Sequence, residues 1–319
     1  MTGEGSTEPP GSGGAGFAGA GAGATVLAIF GPTASGKSAV AEAIAERVPA
    51  ELVSADSMQV YRGLPILTNQ SPAPTRLVGI WPLDHEASVG EFATLAHEAI
   101  DEILAAGKLP VVVGGTGLYL RAALVELGLP PAPAEGVRER WSAFYDERGS
   151  TAAHAELAAR DPAAAATVHP NDRRRIVRAL ELAESGSSLR PERDRLWAAE
   201  TRHPTVIVGL DVPKEVVERR IAERTEAMLA AGAAEEALTA LAGSISSTAR
   251  KVIGLEEVVT LPRDEAVEAI AARTRRYVAY QRKWMRRIPD LVAVDADRPV
   301  NEVADAVLAA LRSRRAEPA

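Results

Sequence analysis

Short apolar runs alternate with longer amphipathic stretches along most of this chain. Apolar residues dominate segments 26–30, 51–55, 110–113 and 205–210. Runs of this length are typical of strands that are buried on both faces of a parallel sheet. Residues 89–106 instead place apolar side chains at steps of three and four, which predicts an amphipathic helix. This alternation predicts an α/β fold, with a parallel sheet flanked by helices.

The strand pattern stops at about residue 125 and returns at residue 205. The intervening sequence is rich in Ala, Arg and Glu, and Asn171 or Asp172 is placed to cap its last helix. We therefore expect an all-α insertion over residues 125–204, within a core built from residues 25–124 and 205–319. Helices are predicted within the insertion at 137–148, 151–160 and 171–185. After it we expect strands at 205–211 and 291–295 and helices at 213–231, 250–260, 263–287 and 300–314.

Residues 1–24 are a tract of Gly, Ala, Pro and Ser whose only charged side chains are Glu4 and Glu8. It lacks the basic segment and the sustained apolar segment of a signal peptide. Its composition buries too little apolar surface to offset the entropy of ordering. We expect a disordered tail.

The composition argues against several kinds of site. The chain has 319 residues, a formal net charge of −7 and no Cys, so disulfides and thiolate metal sites are excluded. Its five His residues are widely spaced, which argues against a His-based zinc site. No apolar run approaches the roughly 18 residues that a membrane helix needs, so we expect a cytoplasmic protein without a membrane partner.

The most informative motif is Gly31-Pro32-Thr33-Ala34-Ser35-Gly36-Lys37-Ser38, between an apolar run and an amphipathic segment. Its spacing, G-x-x-x-x-G-K-S, is that of the loop whose backbone N–H groups cradle phosphates. Lys37 would bring a charge to the terminal phosphates, and the Ser38 hydroxyl would reach a Mg²⁺. A Gly-rich turn without a ligand is the alternative, but the flanking strand and helix favour a site for a di- or triphosphate.

Two strand ends point at the same crevice as this loop. Asp56 follows the run at 51–55, and ligands of parallel sheets bind beyond the carboxyl ends of strands. The alternative is that Asp56 only caps the following turn. The strand at 110–113 ends in Gly114-Gly115-Thr116-Gly117, where an ATPase would often carry a Mg²⁺-binding Asp. This difference argues for chemistry other than ATP hydrolysis.

Basic residues are clustered in two predicted helices despite the negative net charge. Four of the six residues from 173 to 178 are Arg, and residues 273–287 hold seven cations interleaved with Tyr277, Tyr280 and Trp284. A solvated helix face is the alternative for the first cluster, but such faces usually mix both signs of charge. Cations with interleaved aromatic rings are typical of RNA-binding surfaces.

Together these stretches resemble the tRNA dimethylallyltransferases. The matching stretches are 31–38, 54–63, 109–121, 169–180, and 219–232 with the helix at 273–287. The resemblance implies a P-loop NTPase-like fold in which the phosphate loop holds dimethylallyl diphosphate. It also implies transfer of the dimethylallyl group to the exocyclic amine of the adenosine 3′-adjacent to the anticodon. The expected partners are the tRNA anticodon stem-loop and dimethylallyl diphosphate, the expected cofactor is Mg²⁺, and the expected state is a monomer.

The resemblance also implies a role for each residue that matches a family motif. Lys37, Asp56 and Thr116 are expected to be catalytic, with Asp56 as the base that accepts the proton of the adenine amine. Ser38 is expected to hold the metal. The residues expected to bind diphosphate are Gly31, Pro32, Thr33, Ala34, Ser35, Gly36, Lys37, Ser38, Arg220 and Arg224. Those expected to contact tRNA are Asp56, Ser57, Met58, Gln59, Arg121, Arg174, Arg175, Ile176, Val177, Arg178, Arg276, Arg282 and Lys283.

Three segments depart from the family pattern, namely residues 64–70, residues 81–85 and Tyr280. The first is closer to the adenylate isopentenyltransferases of cytokinin synthesis, which are the nearest alternative. A small-molecule kinase would use the same loop to hold ATP. A non-enzymatic RNA-binding module would explain the Arg clusters but would leave Lys37 and Asp56 without a role.

Overall fold

A computed structural model describes residues 25–129, 134, 136–189 and 195–316. The expected tail at 1–24 lies outside these residues and stays a prediction. Six parallel strands form one sheet in the order β3-β2-β4-β1-β5-β6. The strands are β1 (Val26–Phe30), β2 (Ala50–Ser54), β3 (Thr75–Arg76), β4 (Leu109–Gly114), β5 (Thr205–Asp211) and β6 (Val292–Asp295). The parallel sheet predicted from the apolar runs is confirmed.

Helices cover both faces of the sheet and form the segment between β4 and β5. They are α1 (Lys37–Ala45), α2 (Val89–Ala105), α3 (Gly117–Leu124), α4 (Val137–Arg160), α5 (Pro162–Ala165), α6 (Arg173–Glu184), α7 (Lys214–Ala230), α8 (Ala233–Leu241), α9 (Glu257–Thr260), α10 (Arg263–Met285) and α11 (Val300–Ala316). Short 3₁₀ turns occur at Arg195–Trp197 and Ala249–Lys251. Within the described parts of the chain, every helix is too short or too polar to span a membrane.

Alternation along the central strand divides the core into two layers. Leu27 and Ile29 of β1 pack on one side with residues of α1, α7 and α11. Ala28 and Phe30 pack on the other side with residues of α2 and α3. Because successive side chains of a strand point to opposite faces, an almost wholly apolar strand is buried on both. The same arrangement brings the carboxyl ends of β1, β2 and β4 to one edge of the sheet.

Helices α4 to α6 have a small core of their own, centred on Trp141, Leu157 and Leu180. The two helices predicted at 137–148 and 151–160 are confirmed as two arms of α4, which is kinked at Gly149 with φ 81°. Asp172 is the cap of α6, since its side chain accepts from the N–H of Arg175 at 3.1 Å. The division of the chain into domains stays a prediction.

Several short elements differ from the pattern-based expectation. The helix predicted at 250–260 is wrong, because Gly254 at φ 98° separates the turn at Ala249–Lys251 from the single turn of α9. Helix α8 and strand β3 were not predicted. Glu236 of α8 accepts from the backbone N–H groups of Ile66 and Leu67 at 2.9 and 2.8 Å. These hydrogen bonds are long-range in sequence, so local pattern does not reveal them.

Candidate active site at the carboxyl ends of β1, β2 and β4

The phosphate loop connects β1 directly to α1, as its motif predicts. Ala34 and Gly36 adopt left-handed backbone conformations, with φ 67° and 86°, which turn the chain into the helix. Lys37 folds back over the loop, and its Nζ donates to the carbonyl of Pro32 at 2.8 Å. Ser35 Oγ is buried without a hydrogen-bond partner. The loop therefore has the shape of a cradle for an anion, with polar atoms left available inside it.

Burial lowers the pKa of two cations in and beside the loop. Burial lowers the pKa of Lys37 to about 8, an effect that the nearby carboxylate of Asp56 opposes and the cation of Arg224 reinforces. Burial also lowers the pKa of the Arg224 guanidinium, again opposed by Asp56. Two cations and one carboxylate thus share a partly dehydrated region, where charges act on one another strongly.

Helix α7 turns two of its arginines toward this region. Arg220 donates to the carbonyl of Ala34 in the phosphate loop at 3.3 Å and lies 3.6 Å from Asp297. Arg224 lines the same cleft as Asp56 and Thr33. The two arginines expected to bind diphosphate are therefore both placed beside the loop.

Asp56 occupies the turn that follows β2, and both interpretations of its role agree with its position. Its Oδ1 accepts from the N–H of Met58 at 2.9 Å, so the side chain does cap the turn. The same half-buried side chain lines the cleft next to the phosphate loop. Capping and chemistry therefore do not compete for this residue.

Thr116 links this turn to the loop after β4. Its Oγ1 accepts from the N–H of Ser57 at 3.2 Å and lies 3.3 Å from Ser57 Oγ. The Tyr277 hydroxyl of α10 lies 3.1 Å from the same oxygen. Burial raises the pKa of Tyr277, so this phenol stays protonated and remains a hydrogen-bond donor. Ser57, Thr116 and Tyr277 thus form one connected group of hydroxyls.

The Gln59 amide is engaged within the protein. Its Nε2 donates to the carbonyls of Thr68 and Asn69 at 3.2 and 3.1 Å, and its Oε1 accepts from Ser54 Oγ at 2.9 Å. In this arrangement the amide holds the loop at residues 64–70. Reading an adenine edge would require Gln59 to exchange these hydrogen bonds, and the role expected for it stays a prediction.

A cleft extends from the phosphate loop. Its polar lining includes Thr33, Asp56 and Arg224. Its apolar lining comes from Leu67, Ile221, Met228, Val252, Ile253 and Ile270, of which Leu67, Met228, Val252 and Ile270 belong to one buried cluster. The cleft therefore suits a ligand that has a charged head and a small apolar tail.

The sequence matches two protein-family models. The model described as IPP transferase matches residues 59–288, and the model described as isopentenyl transferase matches residues 24–80. The chain belongs to the IPP transferase family. The tRNA dimethylallyltransferase of Salinispora arenicola is 40% identical over 286 residues, which are 85% of this chain and 82% of the relative. That of Streptomyces coelicolor is 39% identical over 83% of this chain and 88% of its own length.

Solved structures agree with this assignment and confirm the P-loop NTPase-like fold. The full-length tRNA isopentenylpyrophosphate transferase of Bacillus halodurans superposes with a TM-score of 0.65 at 32% identity, covering 91% of this chain and 98% of the other. A eukaryotic dimethylallyltransferase acting on tRNA superposes with a TM-score of 0.68 at 25% identity, covering 85% and 74%.

The basic face of α6 in this IPP transferase is only partly free. Arg174 and Arg175 are exposed, and within the described residues no ion pair engages them. Arg178 pairs with Glu181 at 2.9 Å, so it also supports the fold. Ile176 and Val177 are 0% and 5% exposed and pack in the core of α4 to α6. Direct tRNA contact by these two apolar side chains is therefore wrong for this structure.

Arg121 is the clearest correction to the expected tRNA contacts. It is 0% exposed, and its guanidinium donates to the carbonyls of Leu196 and Ala198 at 2.8 and 2.6 Å. Burial lowers its pKa. The expectation failed because an Arg after a catalytic motif suggests a surface cation, whereas this one anchors the segment that returns from α6 to β5.

Helix α10 presents different residues on its two faces. Arg276 and Lys283 are exposed, as a tRNA contact requires. Arg282 is half-buried and donates to the carbonyl of Val212 at 2.6 Å, so it supports the fold near β5. The inner face carries Tyr277, Gln281 and Trp284 against the site. Sequence reasoning missed Gln281 and grouped Tyr277 and Trp284 with the RNA-binding cations, although the spacing of four and three between these non-basic residues marks one helix face.

The residues present fit a magnesium ion that is held mainly by its substrate. Among the described residues, no three acidic or His side chains come together in a group that would hold a metal on their own. Ser38 at the start of α1 is half-buried and offers a hydroxyl oxygen. Mg²⁺ prefers oxygen donors and often takes few ligands from the protein when phosphates supply the others. The donor set therefore suits Mg²⁺ only together with a bound diphosphate.

Proposed function

We propose that this IPP transferase moves a dimethylallyl group from dimethylallyl diphosphate to tRNA. The acceptor is the exocyclic amine of the adenosine 3′-adjacent to the anticodon, and the second product is diphosphate. One observation carries the proposal: the cleft beside the phosphate loop is lined both by Asp56 and Arg224 and by a cluster of apolar side chains. The relatives named tRNA dimethylallyltransferase support it.

In the proposed reaction the adenine amine attacks the allylic carbon. The new N–C bond forms as the C–O bond to the diphosphate breaks, and the diphosphate leaves with the bonding electron pair. The amine must lose one proton, which we assign to the Asp56 carboxylate. An adenine amine is a weak nucleophile, so a base within hydrogen-bond reach is expected to help.

Stabilisation of the leaving diphosphate is the second part of the mechanism. Lys37, Arg220 and Arg224 would bind its oxygens together with the N–H groups of the loop, residues Gly31 to Ser38. A Mg²⁺ held by Ser38 and by the diphosphate itself would supply further positive charge. Fixed charges placed where negative charge develops are usually the largest contribution to catalysis.

The acceptor base must leave the anticodon stack to reach the cleft. Ser57, Met58 and Thr116 lie beside Asp56, and we assign the entry of the base to this part of the cleft. The exposed cations Arg174, Arg175, Arg276 and Lys283 would bind phosphates of the anticodon stem-loop. A single chain supplies every group that the proposal uses, so we take the monomer as the acting form and the cytoplasm, where tRNA is processed, as its location.

Adenylate isopentenyltransferase activity is the nearest alternative. It is favoured by residues 64–70, whose sequence is closer to the adenylate isopentenyltransferases than to the tRNA dimethylallyltransferases. The second half of the sequence has no segment that favours it. The match to the IPP transferase model over 59–288 and the helices α4 to α6 favour a tRNA acceptor.

One competition assay distinguishes the two acceptors. Radiolabelled dimethylallyl diphosphate is offered to the protein with unmodified tRNA, AMP or ATP as acceptor. The proposal predicts label in tRNA alone, and label in AMP with none in tRNA would contradict it.

A further inference from the structure

Gln281 is a buried amide that touches two loops of the candidate site. It lies on the inner face of α10 and is 1% exposed. Its Oε1 accepts from the N–H of Thr33 in the phosphate loop at 2.8 Å. Its Nε2 donates to the carbonyl of Gly115, in the loop after β4, also at 2.8 Å. A buried amide is costly unless both its ends are hydrogen-bonded, and here each end is satisfied by a different loop.

The two loops leave neighbouring strands and carry different parts of the proposed chemistry. Strands β1 and β4 pair in register, with Phe30 opposite Gly114, so their loops start side by side. The register of this strand pair ends at Phe30 and Gly114. The Gln281 amide spans the gap at that level, between the loop proposed to bind diphosphate and the loop that carries Thr116.

The local sequence is adapted to this close approach. A Cβ at Gly115 would overlap Gln281 Nε2, and a Cβ at Gly117 would overlap the Trp284 ring. Tyr277, one turn before Gln281, contacts Thr116. Three consecutive residues after β4 thus each meet one residue of the inner face of α10, which indicates a fixed docking of this helix.

We propose that Gln281 is a positioning residue for prenyl transfer, a role that rests on the function proposed above. It fixes the separation between the diphosphate loop and Thr116, and so the position of the leaving group relative to the attacking amine. Gln281 touches no substrate in this assignment, because both ends of its amide are occupied by backbone. Its effect should therefore appear in the rate of the chemical step and in diphosphate affinity, and not in the KM for tRNA.

Two substitutions separate positioning from general support of the fold. Gln281→Met keeps the approximate volume but removes both hydrogen bonds. We expect the single-turnover rate to fall by about 10²-fold, since displacements of about 1 Å in a reacting pair have effects of this size. The KM for tRNA should stay within about twofold of the wild-type value, because the substitution leaves the phosphate contacts unchanged. Arg47→Met is the control, because Arg47 lies just after α1 and donates to Asn301 and Asp305 of α11, and it is not among the residues that line the cleft.

Gln281→Glu provides a test by rescue. A protonated carboxyl has the same donor and acceptor pair as the amide, whereas the ionised form has lost the donor to Gly115. Burial raises the pKa of a carboxyl, so the ionised form is disfavoured there. The rate of this variant relative to the wild type should recover as the pH is lowered, and the Met variant should show no such recovery.

The outcomes are distinct from those that test the proposed function. A Gln281→Met variant with normal turnover per folded molecule, or a rate loss that only follows its melting temperature as in Arg47→Met, would overturn the positioning role. A wild-type protein that fails to label tRNA would contradict the proposed function instead. In that case, calorimetry with inorganic diphosphate still decides the role of Gln281: weaker binding in the Met variant supports it, and unchanged binding overturns it.

Discussion

At the scale of single residues, the position of Asp56 allows two roles that sequence reasoning treats as alternatives. Its carboxylate caps the turn after β2 through Met58 and also faces the cleft beside Lys37 and Arg224. Asn is as good a cap as Asp, because it keeps an acceptor oxygen of the same reach. A single substitution therefore separates the structural role from the proposed chemical one.

Asp56→Asn should lower kcat by about 10²–10⁴-fold, the usual contribution of general base catalysis. Binding of both substrates should change little, since phosphate contacts supply most of the affinity. Steady-state kinetics with tRNA as the varied substrate measures both quantities. The matched control is Asp161→Asn, which alters another capping Asp whose Oδ1 accepts from Ala164 N–H at 2.9 Å. A near-normal kcat at position 56 would leave leaving-group stabilisation as the whole mechanism.

Lys37 makes the stability of the protein depend on pH in a defined direction. Its pKa is lowered from 10.5 to about 8 by burial. Below about pH 8 the lysine is protonated in both states, so it contributes no slope. Between about pH 8 and about pH 10 the unfolded chain binds more protons than the folded one, so the free energy of unfolding rises with pH.

The measurement is chemical denaturation of the ligand-free protein at several values between about pH 7.5 and about pH 9, where unfolded tyrosines are still mostly protonated. Lys37→Met should remove much of the rise. Lys108→Met, which removes a half-exposed lysine paired with Glu51, should retain it. Equal slopes in wild type and Lys37→Met would show that Lys37 is not the group responsible.

At the scale of elements, helices α6 and α10 each use one face for packing and the other for cations. The inward faces carry Ile176 and Val177 in α6 and Gln281 in α10, all buried. The outward faces carry Arg174, Arg175, Arg276 and Lys283. Because each helix has one packed face and one exposed face, residues that are adjacent in a motif lie in different surroundings.

Arg174→Ala and Arg175→Ala should each raise the KM for tRNA and leave the KM for dimethylallyl diphosphate nearly unchanged. The salt dependence of tRNA binding should weaken by about one unit of slope for each phosphate contact that is lost. Arg178→Ala should in addition lower the melting temperature, because it breaks the pair with buried Glu181. Arg173→Ala is the control, since Arg173 pairs with Asp146. Equal effects on both substrates would mean that Arg174 and Arg175 support the fold.

The apolar lining of the cleft includes Met228 of α7 and Leu67 of the loop at 64–70, and it should limit the length of the prenyl donor. Met228→Ala enlarges this part of the cleft. We expect kcat/KM for geranyl diphosphate, relative to dimethylallyl diphosphate, to rise by about tenfold, as hydrophobic pockets discriminate weakly between chain lengths. Leu238→Ala on α8, where Leu238 is 56% exposed, is the control. An unchanged ratio would place the prenyl group elsewhere.

At the scale of the whole molecule, the sequence predicts those elements that are determined by the pattern of neighbouring residues. The apolar runs became strands because both faces of the sheet are covered, and the phosphate loop followed from the spacing of its Gly and Lys residues. Helix α8, the inner face of α10 and the anchoring of Arg121 depend on contacts across more than 70 residues. Arg121 was misassigned because arginines are seldom fully buried.

The reaction proposed for this cleft is the transfer of a dimethylallyl group to one adenosine of tRNA. The most direct measurement is to incubate unmodified tRNA with the protein, Mg²⁺ and dimethylallyl diphosphate, digest the product, and locate the modification by mass spectrometry. The wild type should add a single dimethylallyl group to the adenosine 3′-adjacent to the anticodon, and Asp56→Asn should do so far more slowly. Modification at another position, or no modification of tRNA while diphosphate is released, would contradict the account.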